Sequence, residues 1–493
     1  MGKKRKDENK IYVNFLGESR NDVTGSSVLL NIPRKDGTRY NVLIEMGMAQ
    51  SNTIKQDLAN NRKMLERFNK DLISSIEHVF INHFHCDHHM NLPFLEASGC
   101  FEGDIIMPKD TMPILKHLMV NGTEIHEANV QKLRDLGEKH LKPFYTKQDT
   151  YSLFNRFVKT EIGEKIKLND EIEYQFLNSG HVLGGAMLKL WIRTPNNTVK
   201  TLLYSSDMGS DYNNEFQYYV PLRDEIKDVQ YFISEATYNK PERSWTRKQA
   251  IEERRKLKQD IKNYLCSGKE ILFSSFSAGR LQNIIAMLYD FYNEEEWFRD
   301  IPVIIDGVLL HKVNNDYLNI LQGEDLQHFK RVMNWKNLKQ VKDFTGTKTV
   351  LSKHEPRIII STSGFLTNGR IVTYLQSLLD NSKCVFYLTG YCGNEDSLGG
   401  QILNPNQKTV TIEKKVILKR AEIKQLRTFS SHIQCDELIK LYKGLHGCRK
   451  IIIHHSSEKD KSEFGELVRE ELRKIDSSTK VEVVTHKNYQ FVI

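Results

Sequence analysis

Between residues 83 and 88 the sequence reads His-Phe-His-Cys-Asp-His, three imidazoles and a carboxylate in six residues. Imidazole nitrogens and carboxylate oxygens are the donors that zinc and similar borderline ions take. An apolar run, Val79-Phe80-Ile81, precedes the stretch, and Asn91-Leu92-Pro93-Phe94-Leu95 follows it. The first predicts a strand and the second a turn into a helix, so the donors lie at a strand end, on a loop able to curl round an ion. A lone His-x-His carries little weight, because most histidines are surface or core residues. Packing does not account for His83, His85, Asp87 and His88 together, and four donors from one segment suit two ions better than one. Cys86 lies inside the stretch, and the alternation of its neighbours turns it away from the ions.

Further donors stand at the ends of other predicted strands. The strand 172–177 runs into Asn178-Ser179-Gly180-His181, where small residues leave the His181 ring free to face an open site. The strand 201–204 ends in Ser205-Ser206-Asp207, and 231–234 ends in Glu235-Ala236-Thr237-Tyr238. The strand 40–45 ends in Glu45-Met46-Gly47, and 450–453 ends in His454-His455. Such strand ends converge on one edge of a sheet, where sites form. His83, His85 and His181 then supply neutral nitrogens to a first ion. Asp87, His88 and a histidine of the 454–455 pair serve a second, and Asp207 bridges, one oxygen to each. His454 and His455 alternate in facing, so only one of them can point at the ions, and facing favours His455. Two metals about 3.5–4 Å apart generate a hydroxide at neutral pH and polarise a phosphoryl group. The expected chemistry is hydrolysis of a phosphodiester or another electrophile, and the donors alone do not say which.

The elements that must position these donors fall into two styles. Up to residue 240 the chain is β-rich. Strands at 11–16 and 28–32 lead to a hairpin turn at Asp36-Gly37, and a charged surface helix follows at 54–69. Two further helices are expected at 111–120 and 128–140. Near Pro241 strands begin to alternate with helices, beginning with a long charged helix at 245–266, and this β-α-β order marks a parallel sheet. After residue 405 the strand-rich style resumes, with strands at 410–412 and 415–418 and then Phe429-Ser430-Ser431-His432. The expected division is therefore a disordered basic tail at 1–10, a first domain at 11–240 completed by 406–493, and an inserted α/β domain at 241–405.

Composition excludes some classes. The 493 residues are 39% hydrophobic, enough for real cores, yet no apolar run is long enough to span a membrane. The first ten residues are charged, unlike a secretory signal. Seven cysteines without a CxxC pair predict free thiols in a reducing compartment, the cytoplasm or, in a eukaryote, the nucleus. A formal charge of +8 permits a polyanionic partner without demanding one. Lys3-Lys4-Arg5-Lys6 reads more readily as a solvated tail than as a nucleic-acid arm or an import signal.

In chain order, His83-x-His85-x-Asp87-His88, Gly180-His181 and Ser206-Asp207 resemble the signatures of the metallo-β-lactamase fold. The insert, Glu235-Ala236-Thr237-Tyr238, Ser431-His432 and the strand-borne histidine near 455 resemble the further motifs of its β-CASP branch. Gly180-His181-Val182-Leu183-Gly184 is most like the cleavage and polyadenylation specificity factor nuclease subunit and its prokaryotic relatives, and unlike ribonuclease J. Phe276-Ser277-Ala278-Gly279-Arg280-Leu281-Gln282, Ser361-Thr362-Ser363-Gly364-Phe365-Leu366 and Thr389-Gly390-Tyr391 resemble that subgroup's glycine-bearing segments.

The resemblance implies an αββα sandwich of two sheets with an inserted α/β β-CASP domain, two zinc ions per chain, and endonucleolytic hydrolysis of single-stranded RNA in processing or decay. It implies that Glu235 and His432 form a relay in which His432 protonates the 3′-oxygen leaving group. A carboxylate can hold an imidazole in one tautomer and keep it charged, so the residue types agree. Products would carry a 3′-hydroxyl and a 5′-phosphate. Glu45 stands where the family has aspartate, with the expected role of ordering a metal loop from behind its ligands. Ser456-Ser457 replaces the family's glycine-acid pair. Loops after strands of the insert offer backbone N–H groups to phosphates, which makes Ser361, Ser363 and Gly364 candidate phosphate contacts, with Arg280 and Arg370 each opening a helix. Ordinary turns account for such loops equally well in isolation. Two other functions fit the same motifs: a 5′-to-3′ exoribonuclease on the same site, or a non-catalytic RNA-binding subunit, which would have lost metal ligands that are intact here. A second copy of the chain or the subunits of a processing complex are the protein partners the resemblance leaves open. A membrane is not among them.

Overall fold

The computed structural model describes residues 9–20, 22–51, 53–211, 226, 228–366, 368–390, 393 and 395–493. The basic run at 3–6, most of the expected 1–10 tail, and Tyr391 lie outside the described residues. The chain forms two compact units. Among the described residues, the first comprises those up to Asp211, those from 226 to Trp245, and His432–Ile493; the second is Thr246–Ser431.

The first unit is built on two seven-stranded sheets. One runs, in spatial order, Gln490–Val492, Tyr12–Phe15, Val28–Pro33, Arg39–Ile44, Ile76–Phe80, Asp104–Pro108 and Phe157–Thr160. Its first four strands pair antiparallel, and pairing is parallel from Arg39–Ile44 onward. The other runs Lys480–Val483, Lys450–Ile453, Tyr231–Ser234, Val199–Tyr204, Ala186–Arg193, Ile172–Asn178 and Lys165–Lys167. One core joins the two sheets face to face: Val13, Phe15, Leu30, Val42 and Phe80 from the first meet Phe176, Leu188, Leu202, Ile233 and Ile452 from the second. Helices cover the outer faces. Leu438 of Cys435–Lys443 and Phe464, Val468 and Leu472 of Glu458–Arg473 pack on Leu203, Phe232 and Ile451, and these layers make the αββα sandwich. The sequence pattern follows from position. Ile172–Asn178 alternates buried and half-buried residues along most of its length, whereas Tyr231–Ser234 is wholly buried and reads as a continuous apolar run.

Strand order then places the donors. Tyr231–Ser234 lies between Val199–Tyr204 and Lys450–Ile453, parallel to both, with Tyr204 opposite Ile233 and Ser234 opposite Ile453. Asp207, Glu235 and the 454–455 histidines therefore leave the sheet at the same end. The helices expected at 111–120 and 128–140 are one, Thr111–Asp135. A Cβ on Gly122 would meet Met90 Sδ at 2.4 Å, so the glycine makes room for packing within a continuous helix.

The second unit holds an all-parallel six-stranded sheet, ordered Leu338–Val341, Val303–Asp306, Ile358–Thr362, Glu270–Ser275, Cys384–Thr389 and Glu422–Leu426. This extends the insert beyond the expected boundary at 405. Glu422–Leu426 pairs with Cys384–Thr389, Val385 opposite Glu422, and adds the sixth strand. The strands foreseen at 410–412 and 415–418 form a hairpin of this unit, with Val410, Ile412 and Ile417 in its core. The insert opens at Thr246 rather than 241, where Thr246 and Gln249 form a capping box on the helix Arg247–Cys266. Among the described residues, no helix is long and apolar enough to cross a membrane.

Candidate active site and metal centre

The 83–88 stretch leaves the strand Ile76–Phe80 and turns through a single helical turn, Cys86–His89. Its shape is set by backbone on both sides. Asn82 O accepts from Ala186 N at 3.0 Å, and Asn82 Nδ2 donates to Ala186 O at 2.9 Å. Met46 N donates to His88 O, Met48 N to Cys86 O, and Ser26 N to Asp87 O. Gly47 lies against this turn so closely that a Cβ would be 1.5 Å from Asp87 O. His89 points elsewhere: its Nε2 donates to Phe84 O at 3.0 Å, and burial pushes its pKa down to about 3.

Around Asp207 the site closes. Asp207 Oδ2 is 3.5 Å from His83 Nε2, 3.3 Å from His88 Nε2 and 3.4 Å from His181 Nε2. Oδ1 is 3.7 Å from His455 Nε2. His83, His85, His181 and Asp207 present donor atoms within 4.8 Å of one another, and so do Asp87, His88 and His455. The fit of this set to metal ions has a direct mark. Nε2 of His83, His88 and His455 and Oδ1 of Asp207 are buried without a hydrogen-bond partner. Buried polar atoms are rarely left this way, and here four face one point. Burial holds His83 below, and His85 and His181 well below, the usual imidazole pKa, which favours neutral rings, and His181 Nε2 lies 3.1 Å from His85 Nδ1. Burial opposes charge on His88 too, but Asp207, Glu45 and Asp87 outweigh it and hold its pKa well above the usual value. That concentration of carboxylates is the field a dication would occupy.

Glu45, at φ 62°, accepts at Oε2 from His88 Nδ1 (2.7 Å) and Tyr204 Oη (2.5 Å), and at Oε1 from Ser206 Oγ (2.6 Å). Ser206 Oγ also lies 3.2 Å from His83 Nδ1. One buried carboxylate thus orients His88 directly and His83 through a hydroxyl. Glu45, Ser206 (φ 49°) and His455 (φ 57°) are all in the left-handed region that non-glycine residues seldom adopt, and all three border the centre.

Glu235, fully buried, holds His432 Nδ1 at 3.0 Å from Oε2. Met208 N and Thr237 Oγ1 donate to the same carboxylate at 2.5 and 2.6 Å. His432 Nε2 is left facing the cluster, 3.8 Å from Asp207 Oδ2. Burial works against the imidazolium, but Glu235 and Asp207 raise its pKa to about 9.

The histidine pair is resolved by facing. His455 Nε2 stands 3.8 Å from Asp87 Oδ2, and its Nδ1 is 3.1 Å from Thr237 Oγ1. His454 packs between the rings of Phe15 and Tyr204, at 5.3 and 5.6 Å, and burial holds it neutral. Ser456 Oγ accepts from Asn239 Nδ2, and Ser457 caps the helix Glu458–Arg473.

The residues proposed for phosphate sit at or just beyond the carboxyl ends of strands in the second unit. Gly364 lies against the Phe276 ring, and the Arg280 guanidinium stacks on that ring at 4.7 Å, its Nε 3.3 Å from Phe429 O. Ser363 Oγ donates to Asn368 O, and Ser361 is buried. Arg370 stands apart, over the Phe344 ring and 3.7 Å from Asp306 Oδ1. Of these, Arg280 and Gly364 are brought together; Arg370 is committed to its own carboxylate. Sequence reasoning missed Tyr204 and Thr237 as supports. Neither had a signal beyond its place at a strand end.

A model of the Beta-Casp domain matches residues 281–402. The chain is 24% identical over 388 residues to an "RNase J-like protein" of Methanocaldococcus jannaschii, covering 77% of this chain and 82% of that one. It is 25% identical over 485 residues to "Transcription termination factor FttA" of the same organism, covering 94% and 70%. It is also similar to "Endoribonuclease YSH1" of Candida albicans, 23% identical over 402 residues, covering 78% of this chain and 43% of that protein.

Proposed function

The chain belongs to the β-CASP family of metallo-β-lactamase-fold proteins, and from that premise we propose that it is a zinc-dependent endoribonuclease with a two-ion centre. The observation that carries the reading is the grouping of buried, unpartnered histidine nitrogens on both oxygens of Asp207. His83, His85, His181 and Asp207 would hold one ion; Asp87, His88, His455 and Asp207 would hold the other. Zinc bound there supplies Lewis acidity toward a phosphoryl oxygen and a water acidic enough to attack near neutral pH.

The chain's own residues do the rest. Glu45 keeps the His88 and His83 rings turned so that their Nε2 atoms face Asp207. Glu235 fixes the proton of His432 on Nδ1 and favours the charged ring, so Nε2 carries a second proton at neutral pH. That proton goes to the 3′-oxygen as its bond to phosphorus breaks, leaving a 3′-hydroxyl and a 5′-phosphate. RNA is the proposed substrate, because "Endoribonuclease YSH1" carries ribonuclease activity in its name and aligns over most of this chain, and the motif resemblance implies a single strand. End-labelled RNA and DNA, offered to chelator-stripped and zinc-restored protein, test the reading. RNA cut only after restoration supports it; RNA cut at equal rate by stripped protein refutes it.

A further inference from the structure

Lys461 is fully buried in the first unit and takes no part in the chemistry above. It lies in the first turn of the helix Glu458–Arg473. Its Nζ donates to two backbone carbonyls, Ser456 O at 3.0 Å and Arg20 O. Among the described residues no carboxylate pairs with it, and burial pushes its pKa down to about 7. An ammonium buried on carbonyls alone is costly to the fold.

What the ammonium holds is the backbone just after His455 and the turn to which His455 N itself donates. His455 is left-handed at φ 57°, a conformation that persists only where its surroundings over-determine it. His455 N donates to Ser19 O at 3.1 Å. Lys461 grips the carbonyl that follows His455 and the carbonyl that follows Ser19. The two turns, Glu18–Arg20 and His455-Ser456, are thereby tied together at both ends of one short loop. Asn239 Nδ2 adds a third tie through Ser456 Oγ. With these ties made, His455 Nε2 faces Asp87 and Asp207 at 3.8 and 3.7 Å.

We propose that Lys461 is a positioning residue for the second ion: by clamping Ser456 O to Arg20 O it keeps His455 aimed at Asp87 and Asp207, without touching metal or substrate. The inference rests on the two-ion reading above. Its consequence is selective. Losing the clamp frees His455 and weakens the ion shared with Asp87 and His88, while the ion on His83, His85 and His181 keeps all its ligands.

The test uses the full chain, wild type and K461M, stripped by chelator and titrated with zinc and separately with cobalt. Ions bound per chain are counted by mass spectrometry, and cobalt d–d absorption reports ligand geometry. Wild type is expected to bind two ions. K461M is expected to keep the first at wild-type affinity and to bind the second at least about tenfold more weakly, as loss of a ligand's supporting partner does. H455A should reproduce that pattern, and K461R, which retains donors, should fall between. K461M with two ions at wild-type affinity overturns the inference while leaving the two-ion reading intact. So does an equal weakening of both ions, which marks a general structural role. A wild type that binds fewer than two ions overturns the two-ion reading and this inference with it. If K461M does not fold by circular dichroism, K461A, which likewise has no donor, carries the same comparison.

Discussion

Replacing Glu235 by glutamine removes the charge that keeps His432 protonated while preserving the side chain's shape. In the wild type Glu235 and Asp207 outweigh burial and set the His432 pKa at about 9, against an ordinary 6.5. A general acid is active in its protonated form, so activity is full below the pKa and lost as pH rises through it. At pH 8 a ring of pKa about 9 is roughly nine-tenths charged; at 6.5 it is about three-hundredths charged. The expected loss in E235Q is therefore about 30-fold at pH 8 and less than about twofold at pH 6. Asp207 and Asp87 still oppose burial in E235Q, so the 30-fold figure is the loss for a ring returned to its ordinary value. Single-turnover cleavage of labelled RNA from pH 5.5 to 9.5 reads this directly, and the alkaline limb should move from near pH 9 to below pH 7. A loss that is equal at every pH would refute the acid role and leave Glu235 as a structural support for Met208 and Thr237.

The same pair links to stability with the same sign. The folded pKa of His432 lies above its unfolded value, so its stabilisation is whole below about pH 6.5 and fades as pH rises through about 9. The melting-temperature gap between wild type and E235Q should therefore be wider at pH 6 than at pH 9.5. E45A is expected to weaken zinc binding about 10- to 100-fold by releasing His88 and, through Ser206, His83; competition with a zinc-binding dye measures this. H454F should retain both ions, because His454 packs on Phe15 and Tyr204, whereas H455A should lose one, as counted by mass spectrometry. G47A puts a methyl group into Asp87 O and should cost about 3 kcal/mol or more in a denaturant melt.

Much of the site could be read from residue types, and the reason is physical. Metal ligands need particular donors at strand ends, and a strand end is visible where an apolar run stops: Phe80 before His83, Tyr204 before Asp207, Ile453 before the histidine pair. The relay of Glu235 and His432 was legible only through motif order, because the two are 197 positions apart and meet through a bridge between Gly209 and His432. Glu45 apart, what supports the candidate ligands left no mark. Tyr204 reads as a core strand residue and Lys461 as one charge among many on a charged helix; their roles come from tertiary contacts alone. The insert's far boundary was misplaced for a related reason. Glu422–Leu426 follows a hairpin and looks like a return to the first domain, and only its register with Cys384–Thr389 assigns it to the parallel sheet.

Cleavage of a circular single-stranded RNA by zinc-restored protein is the most direct test of the central claim. A circle has no end for an exonuclease to enter. The account predicts that the circle is linearised, that the new end carries a 5′-phosphate, and that D207N, which disrupts the carboxylate between the histidines, leaves it intact. A circle that survives while a linear RNA of the same sequence is consumed from its 5′ end would contradict the endonuclease assignment, and a circle opened equally well by D207N would contradict the site.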